Sequence, residues 1–343
     1  MLVSSQTVPV QIVHRFLTTA QRRGVEVRSL MLAAGIPGDI AGNPRARVTV
    51  EQLTRLMQQL WQVTDDELFG LGPGPMPRGT VRMVALGVIH AADLRTALTR
   101  LCEFTALVPG CPRFTAEMTD ATTRLSFDAS ELDDPVHLVT DLLMAAAHRL
   151  PGWMIGTRIP LRSVELPYPR PAEIDDYPAV FGRMPTFGAD AAAITFDSTL
   201  LDSPIIRNEA ELLEYVRRSP SDLFAVRDYG STMADRVRKI LEQGLRGTWP
   251  GADEVAARLA ISAQHLRRLL REEGTSVSLL KEDLLRDAAI ESLARGEESI
   301  DDLAARLGFS EASAFRRAFR RWTGSPPGAY RMAGDEPATA NGR

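Results

Sequence analysis

The most regular pattern of apolar and polar positions lies in the C-terminal third of the chain, where apolar residues return at helical spacing. This spacing predicts a short helix ending at Leu307 and a second helix whose buried face runs from Phe315 to Trp322. Gly308 adopts a left-handed conformation easily and therefore predicts the end of the first helix. Ser310 is the expected N-cap of the second. Together these elements form a helix-turn-helix pattern.

The same pattern occurs twice. Residues 257–262 (ARLAIS) match residues 305–310 (ARLGFS), and the apolar and basic positions of residues 266–270 recur at residues 315–319, after one extra residue beside the turn. Between the copies, apolar spacing over residues 279–295 predicts a linker helix of about 25 Å. The repeat therefore predicts an all-α C-terminal domain with two helix-turn-helix subdomains joined by a linker helix.

The first 220 residues combine helical spacing with the alternation typical of strands, which favours an α+β domain. Thr49 and Asp93 are expected N-caps, and the Gly- and Pro-rich residues 70–79 predict a loop. The predicted helices cover residues 10–23, 27–34, 49–63, 93–107 and 136–150, and the predicted strands cover residues 113–118 paired with 122–128, 161–166 and 193–196.

Composition changes along the chain predict where the domains meet. Residues 219–231 are polar and turn-prone, and from Thr232 onward the pattern is helical. We therefore predict an N-terminal domain over residues 1–220, a linker over residues 221–231 and the helix-turn-helix domain over residues 232–332. A tail rich in Gly, Pro and Ala over residues 333–343 is expected to be disordered.

Charge is distributed unevenly. The net charge of −4 and the pI of about 5.8 argue against a nucleic-acid partner. However, residues 262–271 contain three arginines and no acid, and residues 312–331 contain five arginines and no acid. Docking depends on the local potential of the contacting face, so these two basic segments outweigh the total charge.

The basic side chains fall on one face of each second helix. At about 100° per residue they point away from the apolar stripe, which suits a helix that reads the DNA major groove. The alternative is that these arginines are solvated residues on the surface of a helical bundle. The outward positions are Gln264, Arg267, Arg268 and Arg271 in the first copy, and Ser313, Arg316, Arg317 and Arg320 in the second.

A further set of positions in the second copy follows a recognisable signature: residues 299–304 (SIDDLA), 307–310 (LGFS), 314–315 (AF), 318–319 (AF), 322–324 (WTG), Pro326 and 330–331 (YR). This signature resembles a known family, the AraC-type transcription regulators. By this resemblance the base-reading positions are Gln264, Arg267 and Arg268 in the first copy, and Ala312, Ser313 and Arg317 in the second. Ala312 departs from the polar residue usual there, which predicts that the second copy reads fewer bases.

Residues 30–50, 79–101 and 185–201 are similar to the N-terminal sensor domain of one branch of that family, the arabinose-binding type. This resemblance implies a ligand-responsive activator whose partners are double-stranded promoter DNA, RNA polymerase and a small-molecule effector. Because the region is rich in apolar residues, the expected effector is apolar or weakly acidic. Arg82, Arg113 and Arg170 are candidate partners for its carboxylate. The resemblance is compatible with a homodimer as well as with a monomer.

Two other functions compete with this interpretation: a DNA-binding regulator without a ligand, and an enzyme built on the N-terminal domain. No GxSxG or HExxH motif occurs, and Pro73 and Pro75 interrupt the glycines that would cradle a phosphate. We therefore expect no catalytic residue, metal or cofactor. No apolar run approaches the roughly 18 residues of a membrane span, and no signal peptide is evident. The expected location is the cytoplasm, without a membrane partner.

Overall fold

A computed structural model describes residues 7–172, 177–218, 232–246, 249–296 and 298–332. The predicted linker (221–231) and the predicted disordered tail (333–343) lie outside the described residues. The chain divides into two compact units. We call Gln11–Leu30 with Thr54–Val226 the central unit, and Met1–Val10, Met31–Leu53 and Arg227–Arg343 together the C-terminal unit.

In the described residues, strands and α-helices are each numbered in chain order. The strands are β1 (Thr7–Pro9), β2 (Arg47–Thr49), β3 (Phe114–Met118), β4 (Thr122–Phe127), β5 (Leu161–Leu166), β6 (Thr186–Phe187) and β7 (Ala192–Asp197). The helices are α1 (Val10–Arg22), α2 (Val27–Ala34), α3 (Gly38–Ala41), α4 (Val50–Thr64), α5 (Thr80–Ile89), α6 (Leu94–Leu107), α7 (Leu138–Ile155), α8 (Tyr177–Phe181), α9 (Glu209–Arg218), α10 (Met233–Glu242), α11 (Ala252–Arg258), α12 (Ala263–Glu272), α13 (Val277–Arg295), α14 (Ile300–Arg306) and α15 (Ala312–Thr323).

The central unit is built on a five-stranded sheet with the strand order β3-β4-β7-β5-β6. All neighbours are antiparallel except β5 and β6, which are parallel. Inward-facing residues such as Leu125, Ile194 and Phe196 are buried in one core with residues of α6 and α7. The predicted antiparallel pair of residues 113–118 and 122–128 is confirmed, with Phe114 opposite Phe127. The predicted α+β class of this region is therefore correct.

The central helix α7 is longer than predicted. The sequence pattern ended it at Leu150, whereas the structure continues it through Pro151 to Ile155. Proline removes one backbone donor from a helix, but Trp153, Met154 and Ile155 beyond it are all buried. We attribute the extra turn to that burial, which local spacing alone does not reveal.

Hydrogen bonds at helix starts confirm two of the predicted caps. The Thr49 hydroxyl accepts from the Gln52 amide at 3.0 Å, and the Gln52 side chain accepts from the Thr49 amide at 2.9 Å, which is a capping box. Asp93 accepts from the Thr96 amide at 2.8 Å. The predicted cap at Ser310 is wrong, because the helix starts one residue later, after Glu311. The extra residue of the second copy lies at this point and moves the helix start past the serine.

The C-terminal unit contains two helix-turn-helix subdomains, α11–α12 and α14–α15, with α13 between them. Gly308 ends α14 with a left-handed φ of +84°, as predicted. The matching position of the first copy is Ala260, which has a φ of +55° although it carries a side chain. The apolar residues whose spacing predicted the linker helix are buried on α13: Leu280, Leu284, Leu285, Ala288, Ala289 and Leu293.

Residues near the N-terminus also belong to the C-terminal unit. β1 and β2 pair antiparallel, and the Thr7 hydroxyl donates to the buried Asp287 carboxylate on α13 at 2.6 Å. The Asn43 amide donates to the Thr323 carbonyl at 2.9 Å, and the Arg47 backbone amide donates to the Tyr330 hydroxyl at 3.3 Å. The sequence offered no signal for these strands, because three residues are too few to display an alternation.

We expect Thr7→Val to lower the free energy of unfolding of the full chain by about 1–3 kcal/mol, because it removes a donor from a buried carboxylate. Urea denaturation measures the change. Thr18→Val is the control, since among the described residues the Thr18 side chain has no hydrogen bond. Equal effects of the two substitutions would contradict a structural role of β1 in the C-terminal unit.

Candidate nucleic-acid interface

The first candidate reading helix is α12. Its N-cap is Ser262, whose hydroxyl accepts from the His265 amide at 3.2 Å. Leu266 and Leu270 are buried in a core with residues of α10, α11 and α13, and Leu269 is half-buried. This packing fixes which face of α12 is turned away from the subdomain.

The second candidate reading helix is α15, which is anchored by aromatic rings. Phe315 and Phe319 are fully buried. Phe309, from the turn, lies edge-on to Phe315 with ring centroids 5.5 Å apart. Tyr330 lies edge-on to Phe319 at 5.1 Å. Edge-to-face pairs of this kind add to the free energy of burial, so α15 is held firmly against the rest of its subdomain.

The structure exposes the polar faces that the sequence predicted. Every one of the eight outward positions derived from helical spacing is exposed, and Ala312, which came from the resemblance alone, is half-buried. The exposed positions are Gln264, Arg267, Arg268 and Arg271 on α12, and Ser313, Arg316, Arg317 and Arg320 on α15.

Ion pairs divide these arginines into two groups. Arg268 pairs with Glu272 at 2.7 Å, and Arg316 pairs with Asp301 at 3.2 Å. Side chains of both pairs are more than half exposed, and such pairs contribute at most about 1 kcal/mol, so they can exchange for a phosphate or a base. Within the described part of the chain, the arginines that form no ion pair on these faces are Arg267, Arg271, Arg317 and Arg320.

Other arginines of the C-terminal unit serve the scaffold instead. Arg306 donates to both carboxylate oxygens of Glu298, and these hydrogen bonds lower the pKa of Glu298. Arg286 pairs with Asp283 at 2.8 Å and with the buried Asp287 at 3.1 Å. Abundance of arginine alone therefore does not mark the interface; exposure on α12 and α15 does.

Two further residues of the C-terminal unit were missed by the sequence reasoning. Arg321 is exposed at the end of α15 and pairs with Glu282 at 3.0 Å. Trp249 lies under the Lys281 ammonium at 5.0 Å, and a side chain added at Gly308 would meet its ring at 3.9 Å. Trp249 precedes α11 and lies outside any periodic segment, so no pattern could have identified it.

The central unit contains an apolar cavity of about 110 Å³ between α5, α6 and α7. Its walls are aliphatic and aromatic side chains, and Thr105 and Cys111 also line it. Burial raises the pKa of the Cys111 thiol to about 11, so the thiol is neutral. Residues that form the walls include Val84, Ala85, Leu98, Leu101, Ala146 and Met154.

Two helix-turn-helix subdomains with exposed basic faces define the class of this chain: a double helix-turn-helix DNA-binding protein. Residues 24–205 match the family described as the arabinose-binding domain of AraC transcription regulator, N-terminal. Residues 255–333 match a helix-turn-helix domain. The chain therefore belongs to the AraC family of transcription regulators and has an N-terminal domain of the arabinose-binding type, as the resemblance predicted.

Similar proteins of known name are also regulators. The Ornithine utilization regulator of Pseudomonas aeruginosa is 24% identical over 332 residues, which cover 96% of this chain and 98% of that protein. VirS of Mycobacterium tuberculosis is 25% identical and covers 75% of this chain and 76% of its own. The Transcriptional activator NphR of a Rhodococcus species is 29% identical over 143 residues, 42% of this chain and 40% of its own.

Among solved structures, the transcriptional regulator CdpR of Pseudomonas aeruginosa is 22% identical to this chain. The match covers 94% of this chain and 98% of that one, with a TM-score of 0.31. Across the described residues, no helix has both the length and the apolar composition needed to cross a membrane.

Proposed function

We propose that this regulator reads two successive major grooves of promoter DNA, one with α12 and one with α15. The observation that carries the proposal is the repetition of one exposed polar face on two helices. At about 100° per residue, each set of four positions lies within an arc of about 100° opposite the buried stripe. That arc suits a helix lying in a groove, where base edges and flanking phosphates are reached from one side.

Within this proposal the exposed residues have different roles. Gln264, Arg267 and Arg268 read base edges in one groove, and Ser313 and Arg317 read them in the other. Ala312 offers no hydrogen bond, so the second groove is read at fewer positions. The remaining arginines of the two faces bind phosphates, which fixes the register on the duplex without reading sequence. These phosphate ligands are Arg271, Arg316 and Arg320.

The regulator is further proposed to be an activator that responds to a small molecule and contacts RNA polymerase. The name of NphR, a transcriptional activator, supports activation rather than repression as the direction of regulation. The apolar cavity of the central unit supports an apolar or weakly acidic effector. No reaction is assigned to the chain, since the relatives named above are regulators. It acts on double-stranded promoter DNA in the cytoplasm, as a monomer or a homodimer.

Selection of bound DNA fragments by the purified full chain, followed by sequencing, tests the proposal. We expect a bipartite site whose halves lie about one helical turn apart, roughly 34 Å. A single uninterrupted half-site would contradict reading by both helices. Enrichment of no sequence at all would contradict sequence-specific binding through these faces.

On the selected site, Arg268→Ala is expected to cost about 1–3 kcal/mol and to relax one base position, because a bidentate base contact is lost. Arg320→Ala should weaken selected and random DNA alike and reduce the salt slope by about 1, because a phosphate contact is lost. Titrations at several salt concentrations measure both effects. Arg95→Ala removes the same charge from the exposed face of α6, in the central unit, and should leave binding unchanged. If Arg268→Ala weakened random DNA equally, its assignment as a reader would fail.

A further inference from the structure

The walls of the cavity in the central unit determine what it can hold. Thr105 already has partners, since its hydroxyl donates to the Cys102 carbonyl at 3.2 Å and accepts from the Phe114 amide at 3.1 Å. Cys111 is a neutral thiol, a weak donor and acceptor. A polar or charged group placed inside would lose its hydration without gaining hydrogen bonds. The interior therefore accepts an apolar group.

The size of the cavity limits that apolar group. A cavity of about 150 Å³ lined by Leu, Ile and Phe binds benzene. This cavity has a volume of about 110 Å³, so it accommodates a single ring after slight adjustment of the walls, or a short alkyl chain. A long acyl chain exceeds this volume, so most of it would lie outside the apolar walls.

The cavity reaches the surface beside a group of positive charges. Val81 lines it and is 44% exposed. Val84 lines both the cavity and a neighbouring open pocket of about 570 Å³, whose rim carries Arg78 and Arg82. Both arginines are exposed, and neither forms an ion pair within the described residues. The apolar cavity thus shares the wall at Val84 with an open pocket that two arginines line.

A negatively charged side chain, that of Glu67, lies at the start of α5. The Glu67 carboxylate accepts from the backbone amides of Gly79 and Val81, each at 2.7 Å. Two amides of this helix terminus are therefore already bound to a carboxylate, and the guanidinium groups are the charged partners left for a bound anion. With Glu67 counted against Arg78 and Arg82, the rim retains one net positive charge, which suits a monoanion.

We propose that the central unit binds a small apolar carboxylate, with its ring or short alkyl chain in the cavity and its carboxylate at Arg82, assisted by Arg78. This inference rests on the proposed response to an effector and specifies the chemical class of that effector. Arg82 is one of the three carboxylate partners that the sequence suggested. Arg113 and Arg170 do not line either of these two pockets.

Calorimetric titration of the full chain with benzoate, hexanoate and dodecanoate, and with the uncharged benzyl alcohol and hexanol, tests the proposal. We expect benzoate and hexanoate to bind, each alcohol to bind at least about tenfold more weakly than the matching acid, and dodecanoate not to bind. Absence of binding by both short acids, equal affinity for acids and alcohols, or tighter binding of dodecanoate would each overturn the proposal.

Variants locate the two halves of the site. Arg82→Gln should weaken hexanoate about tenfold and leave hexanol unchanged, whereas Arg95→Gln, on the exposed face of α6, should change neither. Ala146→Leu fills the cavity and should weaken both ligands, while circular dichroism verifies that the variant is folded. Equal loss of acid and alcohol on Arg82→Gln would overturn the role of that guanidinium.

The two proposals fail separately. DNA binding to the selected site is measured with and without hexanoate. If no short acid binds but the bipartite DNA site is still recognised, the ligand site is wrong and the DNA interface stands. If hexanoate binds while the DNA site is not recognised, the DNA interface is wrong and the ligand site stands.

Discussion

Asp141→Ala is expected to lower the free energy of unfolding by about 3–5 kcal/mol, the cost of breaking a buried ion pair by removing one partner. Asp141, on α7, accepts from the Arg15 guanidinium of α1 at 2.8 Å. The two side chains are 18% and 12% exposed, so neither charge regains much hydration when its partner is removed. The guanidinium also donates to the carbonyls of Val136 and His137, which hold it in place.

Two tyrosines make this ion pair the centre of a network. The Tyr168 hydroxyl donates to one oxygen of Asp141, and Tyr177 donates to the other at 3.3 Å. The tyrosine hydroxyls are 3.1 Å apart. Burial and the nearby Asp141 carboxylate raise the pKa of Tyr177 to about 12, so both rings remain neutral donors at physiological pH. Asp141→Ala therefore removes the only carboxylate that pairs with the Arg15 cation among the described residues, and with it an acceptor of both tyrosine hydroxyls.

Urea denaturation followed by circular dichroism measures the loss. Asp202→Ala is the matched control, since Asp202 pairs with Arg95 at 3.2 Å but its side chain is 79% exposed; we expect a change of no more than about 1 kcal/mol. Asp141→Asn, which keeps an acceptor oxygen, should fall between the two. A loss of under about 1 kcal/mol for Asp141→Ala would show that the network adds nothing to the stability of the chain.

The features that could be predicted from the sequence are those that depend on local spacing of residues. The helices over residues 27–34, 49–63 and 93–107, the pair of strands at residues 113–128 and the exposed faces of α12 and α15 all follow from periodicity or from a capping residue. Each of these signals is contained within a few turns of helix or a few strand residues. The family resemblance of the C-terminal domain rests on the same local positions.

What the sequence could not predict depends on contacts between distant residues. No pattern in the sequence indicates that Arg15 contacts Asp141, because the two residues lie far apart along the chain. The same holds for Thr7 and Asp287. The cavity arises because α5, α6 and α7 meet, and the neighbouring pocket forms only where Phe104 and Val108 lie near the start of α5. Helix α5 itself was missed, because apolar residues on several of its sides obscure a single amphipathic stripe.

Phe319→Ala is expected to cost about 3–5 kcal/mol in the second helix-turn-helix subdomain, the usual cost of removing a buried ring. Phe319 is fully buried and contacts Phe315 at 5.7 Å and Tyr330 at 5.1 Å between ring centroids. Loss of this ring removes the packing that orients α15. The arginines of α15 then no longer share one rigid face, although the first subdomain, with its own core around Leu266, is untouched.

Binding should therefore fall selectively at one half of the DNA site. A nuclease footprint on the selected sequence is expected to shrink by about one helical turn, roughly 10 base pairs, with the protection by α12 retained. Leu270→Ala, in the buried face of α12, is the mirror control and should remove the other half of the footprint. Phe319→Leu keeps most of the volume and should cost less than about 1.5 kcal/mol with a full footprint. Loss of both halves on Phe319→Ala would mean that the two subdomains unfold together, and that α15 does not act as an independent reader.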